Sequence, residues 1–302
     1  MVYTMVTPLV ARLVNMCNLK NQLLRHLHIS QKALVFHEVD PKSGYPHISD
    51  YKEEKLNPLQ RIYKGYFQFI EECKKLGEEI KDSLHVDPTL LVYPEEVDVQ
   101  WKFNGDPKIL DKWIVTCDSD YNHGFSKATL ELSSTGAGVF SGRLDTRVPK
   151  DGILNLAGFC NIRSVVPRGP FKIVKPFQWF RYTHLILRVR GDGRSYMIYL
   201  HLKNEYDIMW ADLHGFPLYT RGGPYWQYVK IPFSKFFLTN RGRIQDSQAP
   251  IRLWEVLSIG ITATGIPGPF NLEIDYIGVQ QDPKHREEFA YEMYKPPHPY
   301  YI

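Results

Sequence analysis

From Val97 onward the sequence is a series of short apolar runs separated by turn-forming residues, and this pattern restricts the fold more than any other feature. About ten runs rich in β-branched and aromatic residues recur up to residue 283, bounded by Gly, Pro, Asn and Asp. Several alternate in polarity. In THLILRVR (183–190) the inward residues would be Leu185, Leu187 and Val189, and the outward ones His184, Arg188 and Arg190. Because hardly any helical window interrupts the series, we predict a mainly β fold, a β-sandwich jelly roll over residues 97–283.

The remaining sequence divides into three parts. Residues 1–37 contain no Asp or Glu but several basic residues among Leu, Val and Met, which is typical of a mitochondrial transit peptide; an ordinary basic tail is the alternative. Residues 38–96 hold a polar linker and then apolar residues at steps of three and four, which predict an amphipathic helix over 59–82. Its apolar stripe is expected to pack on the main domain, and docking in a groove of a partner is the alternative. Residues 284–302 are predicted to begin as a short helix and to end as a Pro- and Tyr-rich tail.

Composition excludes some classes of protein. Of 302 residues, 43% are apolar and 23% charged, as in a globular protein with a sizeable core. The formal charge of +4 gives no indication of nucleic acid, and no run approaches the ~18 apolar residues of a membrane-spanning helix. The cysteines are scattered without a paired motif, so we expect small buried or incidental thiols rather than a disulfide scaffold or a zinc site; they are Cys17, Cys73, Cys117 and Cys160.

Two segments resemble catalytic motifs but lack their structural context. GFSKA (124–128) differs by one methyl group from the nucleophile motif of serine hydrolases, yet a strand rather than a helix is predicted to follow Ser126. GAGVFSG (136–142) opens a strand where the dinucleotide fingerprint must open a helix. With no convincing active site, we predict a protein that is not an enzyme and that uses no cofactor or metal.

One carboxylate leaves two interpretations open. Asp275 lies in the predicted last strand among apolar neighbours, and Glu273 and Asn271 would share its face. Its oxygens could ligate a structural calcium ion. The simpler interpretation, which we favour, is that Asp275 accepts hydrogen bonds from the backbone or from an arginine.

Basic residues interleave with aromatic ones in the segments 162–184 and 212–230. This composition is typical of protein interface hot spots and equally of platforms for single-stranded nucleic acid, although individual rings could belong to the core. We predict contacts with protein partners, not nucleic acid, from these segments, the helix and the tail. The predicted contact residues are Tyr66, Phe69, Arg168, Phe171, Lys172, Lys175, Trp179, Arg181, Tyr225, Trp226, Tyr300 and Tyr301.

An ordered series of motifs resembles the complex I intermediate-associated protein family. The series comprises HGFSKATL (123–130), GFCNIRS (158–164), RGDGRSYMIYL (190–200), GGPYWQYVKIPFSKF (222–236) and FNLEIDYIGV (270–279). The resemblance implies a galactose-binding-like jelly roll akin to carbohydrate-binding modules. It also implies that the HGFS turn is a structural corner, with His123 where many relatives have glycine.

The same resemblance implies a function. Members act as non-enzymatic chaperones that hold a membrane-arm intermediate of mitochondrial respiratory complex I, NADH:ubiquinone oxidoreductase. The expected location is the matrix, peripheral to the inner membrane. The expected partners are membrane-arm subunits and other assembly factors, including an acyl-CoA-dehydrogenase-like factor. The alternative function is that of a carbohydrate-binding module, in which Tyr199, His201 and Trp210 would line a concave sheet face.

Overall fold

The computed structural model describes residues 58–85, 92–150, 157–203, 212–240 and 242–291. They fall into two compact units. In unit 1 the described residues are the helix α1 (Pro58–His85) and the turn 169–173; the other described residues form unit 2.

Unit 2 consists of antiparallel β-strands. They are β1 (Val97–Lys102), β2 (Trp113–Cys117), β3 (Lys127–Leu132), β4 (Gly138–Leu144), β5 (Phe159–Ser164), β6 (His184–Gly191), β7 (Ser195–Leu202), β8 (Asp212–Tyr219), β9 (Gln227–Pro232), β10 (Phe237–Asn240), β11 (Arg243–Ile244), β12 (Val256–Thr264) and β13 (Gly268–Gln280).

The strands pair into two sheets. In the described part of the chain, sheet A has six strands in the order β3-β4-β13-β6-β9, with β1 also paired to β13. Sheet B has seven strands in the order β11-β10-β8-β7-β12-β5-β2. Eight of the eleven described pairings join strands that are not consecutive in the chain, as in a jelly roll. The predicted mainly β sandwich with a preceding helix is therefore confirmed.

The core lies between the two sheets because one side of each strand is apolar. In β7 the residues Tyr196, Ile198, Leu200 and Leu202 are buried and alternate with more exposed ones. Their cluster includes inward residues of both sheets, and the ring of Tyr196 lies 6.4 Å from that of Phe270 on β13. Such burial contributes roughly 25 cal/mol per Å² of apolar surface and is the main stabilising term.

An aromatic cluster closes one part of this core. Trp101 of sheet A lies 5.6 Å from Trp113 of sheet B, measured between ring centroids. Trp179, from the loop before β6, stacks on Phe177 at 5.1 Å and on Phe233 at 5.9 Å. This loop therefore takes part in the core rather than only in the surface.

The HGFS turn is a corner in which Gly124 and Ser126 are buried and His123 and Phe125 are exposed. The Asp118 carboxylate accepts hydrogen bonds from the backbone N–H groups of Ser126 and Gly158, each at 2.8 Å, and from the Ser126 hydroxyl at 3.1 Å. The Ser126 hydroxyl in turn accepts from the Asp145 N–H at 3.0 Å. Strand β3 follows Ser126 directly, as the sequence predicted. A Cβ atom at Gly124 would overlap the Asp118 carboxylate, so the glycine leaves space for this acceptor.

The C-terminal segment differs from the prediction in the part that the structure describes. Residues 284–291 form turns and extended chain, and no helix is present there. The reason is that the segment is tied to the sandwich: the Ala290 N–H donates to the Ser234 carbonyl at 3.1 Å, and the Tyr291 hydroxyl donates to the Lys235 carbonyl at 2.8 Å. Residues 292–302 and the predicted transit peptide lie outside the described residues.

His184 is buried, although it was expected to be exposed. Its ring packs against that of His285 at 4.7 Å, so the C-terminal segment covers the strand end. Burial, followed by the charges of Lys230 and His285, lowers the pKa of His184 to about 4. Asp282, which pairs with Lys230 at 2.6 Å, opposes this shift.

Stability should therefore decrease on mild acidification. In the unfolded chain the imidazole of His184 binds a proton near its ordinary pKa of 6.5, whereas in the folded protein it does so only near pH 4. The contribution of neutral His184 to the free energy of unfolding is therefore fully present above pH 6.5 and is lost as the pH falls from 6.5 to 4. We expect a lower Tm at about pH 5 than at about pH 7.5, and a smaller difference in the variant His184→Gln. A remaining slope is expected because burial also lowers the pKa of His214 to about 4. An unchanged pH profile in His184→Gln would contradict the assignment.

Candidate interaction surfaces

Helix α1 presents apolar side chains to solvent. Tyr66 and Phe69, both predicted contact residues, are exposed, as are Leu76, Ile80 and Leu84 further along. These side chains recur at steps of three, four or seven residues, so they form one stripe. The helix extends over Pro58–His85, slightly beyond the predicted 59–82. Unit 1 thus offers an apolar helix face.

Within unit 1, Glu72 holds the turn 169–173 in place. Its carboxylate accepts from the Phe171 backbone N–H at 2.7 Å and from Lys75 Nζ at 2.8 Å. The hydrogen bond from Lys75, and then the one from Phe171, lower the pKa of Glu72. The rings of Phe171 and Phe69 lie 5.9 Å apart. Phe171 and Lys172, both with φ of 56°, are half-buried, so the turn presents them less openly than the sequence suggested.

In unit 2 a groove of about 750 Å³ lies beside strand β1. Its apolar lining includes Tyr93, Val97, Val99 and Phe180, of which Tyr93, Val99 and Phe180 are exposed. The predicted contact residue Arg181 also lines the groove, and its guanidinium lies 5.4 Å from the centre of the Phe180 ring. The groove therefore combines exposed aromatic rings with a cation, the composition of an interface hot spot.

A hydrogen bond between the half-buried Tyr182 and the exposed Asp98 fixes one wall of this groove. The Tyr182 hydroxyl donates to Asp98 Oδ2 at 2.6 Å. Burial first, and then the hydrogen bond and charge of Asp98, raise the pKa of Tyr182 to about 12. At neutral pH the protonated phenol donates this hydrogen bond and so holds the loop containing Phe180 against β1.

A second surface, the Trp226 patch, comprises Tyr225, Trp226, Tyr228, Arg188 and Arg190. The Trp226 ring lies 5.3 Å from the Arg188 guanidinium carbon and 5.1 Å from that of Arg190. Tyr225 is 84% exposed, and Tyr228 is also exposed. Cation–π contacts hold the half-buried Trp226 in a fixed orientation. Binding of a partner would therefore cost less side-chain conformational entropy.

The groove and the Trp226 patch occupy the same outer face of sheet A. Tyr276 pairs with Arg188, and Arg188 pairs with Tyr228, in adjacent strands. Two residues further along β13, Gly278 pairs with Val99 of the groove. Paired residues share a face of a sheet, and so do residues two apart in one strand. Both surfaces thus lie on one strip of this face, and the residues between them, Gly278 and Ile186, are buried.

Asp275 lies on this face with an arginine as its partner. Arg188 Nη1 donates to Asp275 Oδ2 at 2.6 Å, and Arg190 pairs with Glu273 in the same way. The hydrogen-bond interpretation of Asp275 is therefore confirmed, although its side chain is half-buried on the outer face rather than enclosed. In the described ranges no group of three or more His, Cys, Asp or Glu side chains is placed to hold a metal ion.

The predicted contact residues have different outcomes. Trp179 is wrong as a surface contact: it is only 2% exposed because it stacks in the core. Arg168 and Lys175 are exposed in the loop before β6. Tyr300 and Tyr301 lie outside the described residues. Sequence reasoning missed Tyr93, Val99, Tyr228 and the role of Arg188, although the outward position of Arg188 in its alternating strand was a usable signal.

The residues proposed for sugar binding are separated from this strip. Tyr199 and His201 lie on the outer side of sheet B, since Ile198 and Leu200 of the same strand enter the core. Both are half-buried, and burial raises the pKa of Tyr199. Trp210 lies outside the described residues. No helix in the described part of the chain has the length and apolar character that crossing a bilayer requires.

Comparisons with known proteins agree with the motif series. The model of the family "Complex I intermediate-associated protein 30 (CIA30)" matches residues 101–274. The Drosophila melanogaster protein named "Complex I intermediate-associated protein 30, mitochondrial" is 45% identical over 276 residues, covering 90% of this chain and 92% of the relative. The Mus musculus protein of the same name is 42% identical over 228 residues, covering 74% and 69%. A solved family 11 carbohydrate-binding module of a Clostridium thermocellum cellulase aligns with 64% of this chain and 99% of its own length, at 13% identity and a TM-score of 0.44.

Proposed function

We propose, because this chain belongs to the complex I intermediate-associated protein 30 family, that it is a non-enzymatic assembly factor of mitochondrial respiratory complex I. In this role it holds a membrane-arm intermediate through protein–protein contacts. The names of its relatives support an association with complex I intermediates. The surfaces of the molecule support the mode of action, which is contact rather than chemistry.

The observation that carries this proposal is the strip on the outer face of sheet A. Exposed tyrosine, phenylalanine and arginine side chains are concentrated there, from Phe180 and Tyr93 in the groove to Tyr225 in the Trp226 patch. Aromatic and arginine anchors provide most of the energy of protein interfaces. An exposed apolar surface on a sheet is also suited to cover a subunit surface until its permanent neighbour arrives.

Helix α1 supplies a second contact surface in the proposal. Its exposed stripe contains Tyr66 and Phe69, and amphipathic helices commonly dock in grooves of partner proteins through such residues. Partners would be membrane-arm subunits and other assembly factors, including an acyl-CoA-dehydrogenase-like factor.

The proposed location is the matrix side of the inner membrane, where the protein is peripheral. Its relatives are named mitochondrial. The basic residues Arg168, Lys175 and Arg181 are exposed in one loop and would favour an anionic membrane surface by about 1 kcal/mol for each charge close to it.

The test is complementation in cells that lack the protein. Without it, native gels should show a membrane-arm intermediate in place of mature complex I. The wild-type chain should restore assembly, whereas the double variant Phe180→Ala/Tyr225→Ala should recover about 30-fold less complex I subunit by affinity purification, since each anchor contributes more than about 1 kcal/mol.

The matched control is Tyr219→Ala, which removes an exposed tyrosine from strand β8 of sheet B. It should restore assembly as the wild type does. Both variants should retain the wild-type Tm, because exposed side chains contribute little to stability. Normal assembly without the protein would overturn the proposed function, and full rescue by the double variant at normal abundance would overturn the proposed surface.

A further inference from the structure

Two cysteines that are far apart in sequence are direct neighbours in the fold. Cys117, the last residue of β2, pairs in register with Cys160 of β5. Both side chains are reduced and enter the core, with 4% of Cys117 and 0% of Cys160 exposed. The scattered positions of the cysteines had suggested small buried or incidental thiols; this pair is buried, and the strand register also makes its two members neighbours.

The register suits a disulfide bond. Residues directly opposite each other in antiparallel strands have Cα atoms about 4.5–5.5 Å apart. Disulfides form at Cα separations of about 4.4–6.8 Å. Because both side chains point to the same face, the bond can close without moving either strand along the other.

The two thiols are not equivalent. The hydrogen bond between them lowers the pKa of Cys117 and raises the pKa of Cys160, while burial and the carboxylates of Asp118 and Asp120 oppose ionisation. Cys117 is also at the end of β2, an edge strand that pairs only with β5 among the described strands. Opening of this edge would expose Cys117 first, so Cys117 is the residue that meets an oxidant and Cys160 the residue that resolves it.

We propose that Cys117 and Cys160 form a redox modification site, a dithiol that is closed to a disulfide by hydrogen peroxide and reopened by a dithiol reductant. The Cys117 thiolate attacks one peroxide oxygen, the O–O bond breaks, and a sulfenic acid forms as hydroxide leaves and takes up a proton. The Cys160 thiol loses its proton and attacks the Cys117 sulfur, which releases a second water. Two thiols are oxidised and one peroxide is reduced to two waters.

The bond would secure the edge of sheet B. It joins β2 to β5 next to the Asp118 corner and closes the segment 117–160, which contains β3 and β4. Closing a loop of this length restricts the unfolded chain. The oxidised protein should therefore have a Tm higher by about 5 °C or more.

The experiment uses the full chain with Cys17→Ser and Cys73→Ser, so that the exposed Cys73 and the residue outside the described ranges do not react. The folded protein is titrated with hydrogen peroxide, and remaining thiols are blocked before non-reducing digestion and mass spectrometry. We expect a peptide pair joined through Cys117 and Cys160, the rise in Tm, and reversal of both by dithiothreitol. In the further variant Cys160→Ser, Cys117 should stop at the sulfenic acid and react with dimedone.

Three results would overturn the proposal. The first is that the blocking reagent modifies both thiols completely after peroxide treatment of the folded protein, which would mean that neither was oxidised. The second is oxidation of Cys117 to the sulfinic acid with Cys160 still free. The third is a cross-linked peptide that forms only in denaturant. If Cys160→Ser does not fold, the peptide mapping and the Tm shift of the parent protein still decide the question.

Discussion

Replacement of Trp179 by alanine is expected to lower the free energy of unfolding by about 3–5 kcal/mol. The Trp179 ring is almost fully buried and stacks between Phe177 and Phe233. It also packs against Trp101 in an edge-to-face arrangement, with 6.3 Å between the ring centroids. Alanine would leave a cavity that these rings can fill only in part. Urea unfolding followed by circular dichroism measures the change.

The matched control is its neighbour, Phe180→Ala. Phe180 is 54% exposed, so its loss should change the unfolding free energy by less than about 0.5 kcal/mol. If the two variants unfold at the same urea concentration, the loop before β6 does not pack into the core. The two variants also distinguish an effect on stability from an effect on partner binding. Trp179→Ala should lower stability, whereas Phe180→Ala should weaken partner binding, because only Phe180 belongs to the proposed contact surface.

The second large effect is expected at the corner, where Gly124→Ala should destabilise the protein by about 3 kcal/mol. The added methyl group would overlap the Asp118 carboxylate. Asp118 cannot move away without losing the N–H groups of Ser126 and Gly158, which would then be buried without an acceptor. Thermal and urea unfolding would both report the loss.

Gly222→Ala is the control for this substitution. A Cβ atom at Gly222 would have its nearest neighbour, the Asp192 carbonyl oxygen, at 3.5 Å, an ordinary contact, so we expect a change of less than about 0.5 kcal/mol. The variant Asp118→Asn, which keeps the size but removes one acceptor, should fall between the two. Equal stability of Gly124→Ala and Gly222→Ala would show that the corner does not depend on the Asp118 carboxylate.

The sequence was sufficient for the strands and the class of fold, because alternation of polarity follows directly from burial of one sheet face. It was sufficient for α1 because apolar residues recur at helical spacing. It was insufficient wherever two distant segments meet. Asp118 and Gly158, or Cys117 and Cys160, become neighbours only through the register of β2 and β5, and the local pattern carries no information about register.

The candidate site has the same limitation. The loop before β6 has no periodicity, so its pattern could not distinguish the buried Trp179 from the exposed Phe180 beside it. The groove joins that loop to Tyr93 and Val99 from a segment some 80 residues earlier, a proximity that depends on the pairing of β1 with β13. Composition alone led to the prediction of Arg181, Tyr225 and Trp226 as contacts, and the structure places Arg181 in the groove and the other two in the Trp226 patch.

Strand β13 has a consequence for the order in which the protein can be made. It is the last strand in the described chain, yet it lies between β4 and β6 and also pairs with β1, the first strand. Before β13 has been synthesised, the other strands of sheet A can form only separate pairs, and the apolar faces of these pairs need temporary protection from aggregation. Folding of this half of the sandwich must therefore wait until Gln280, the last residue of β13, has been synthesised, and premature release from a protecting chaperone would favour aggregation.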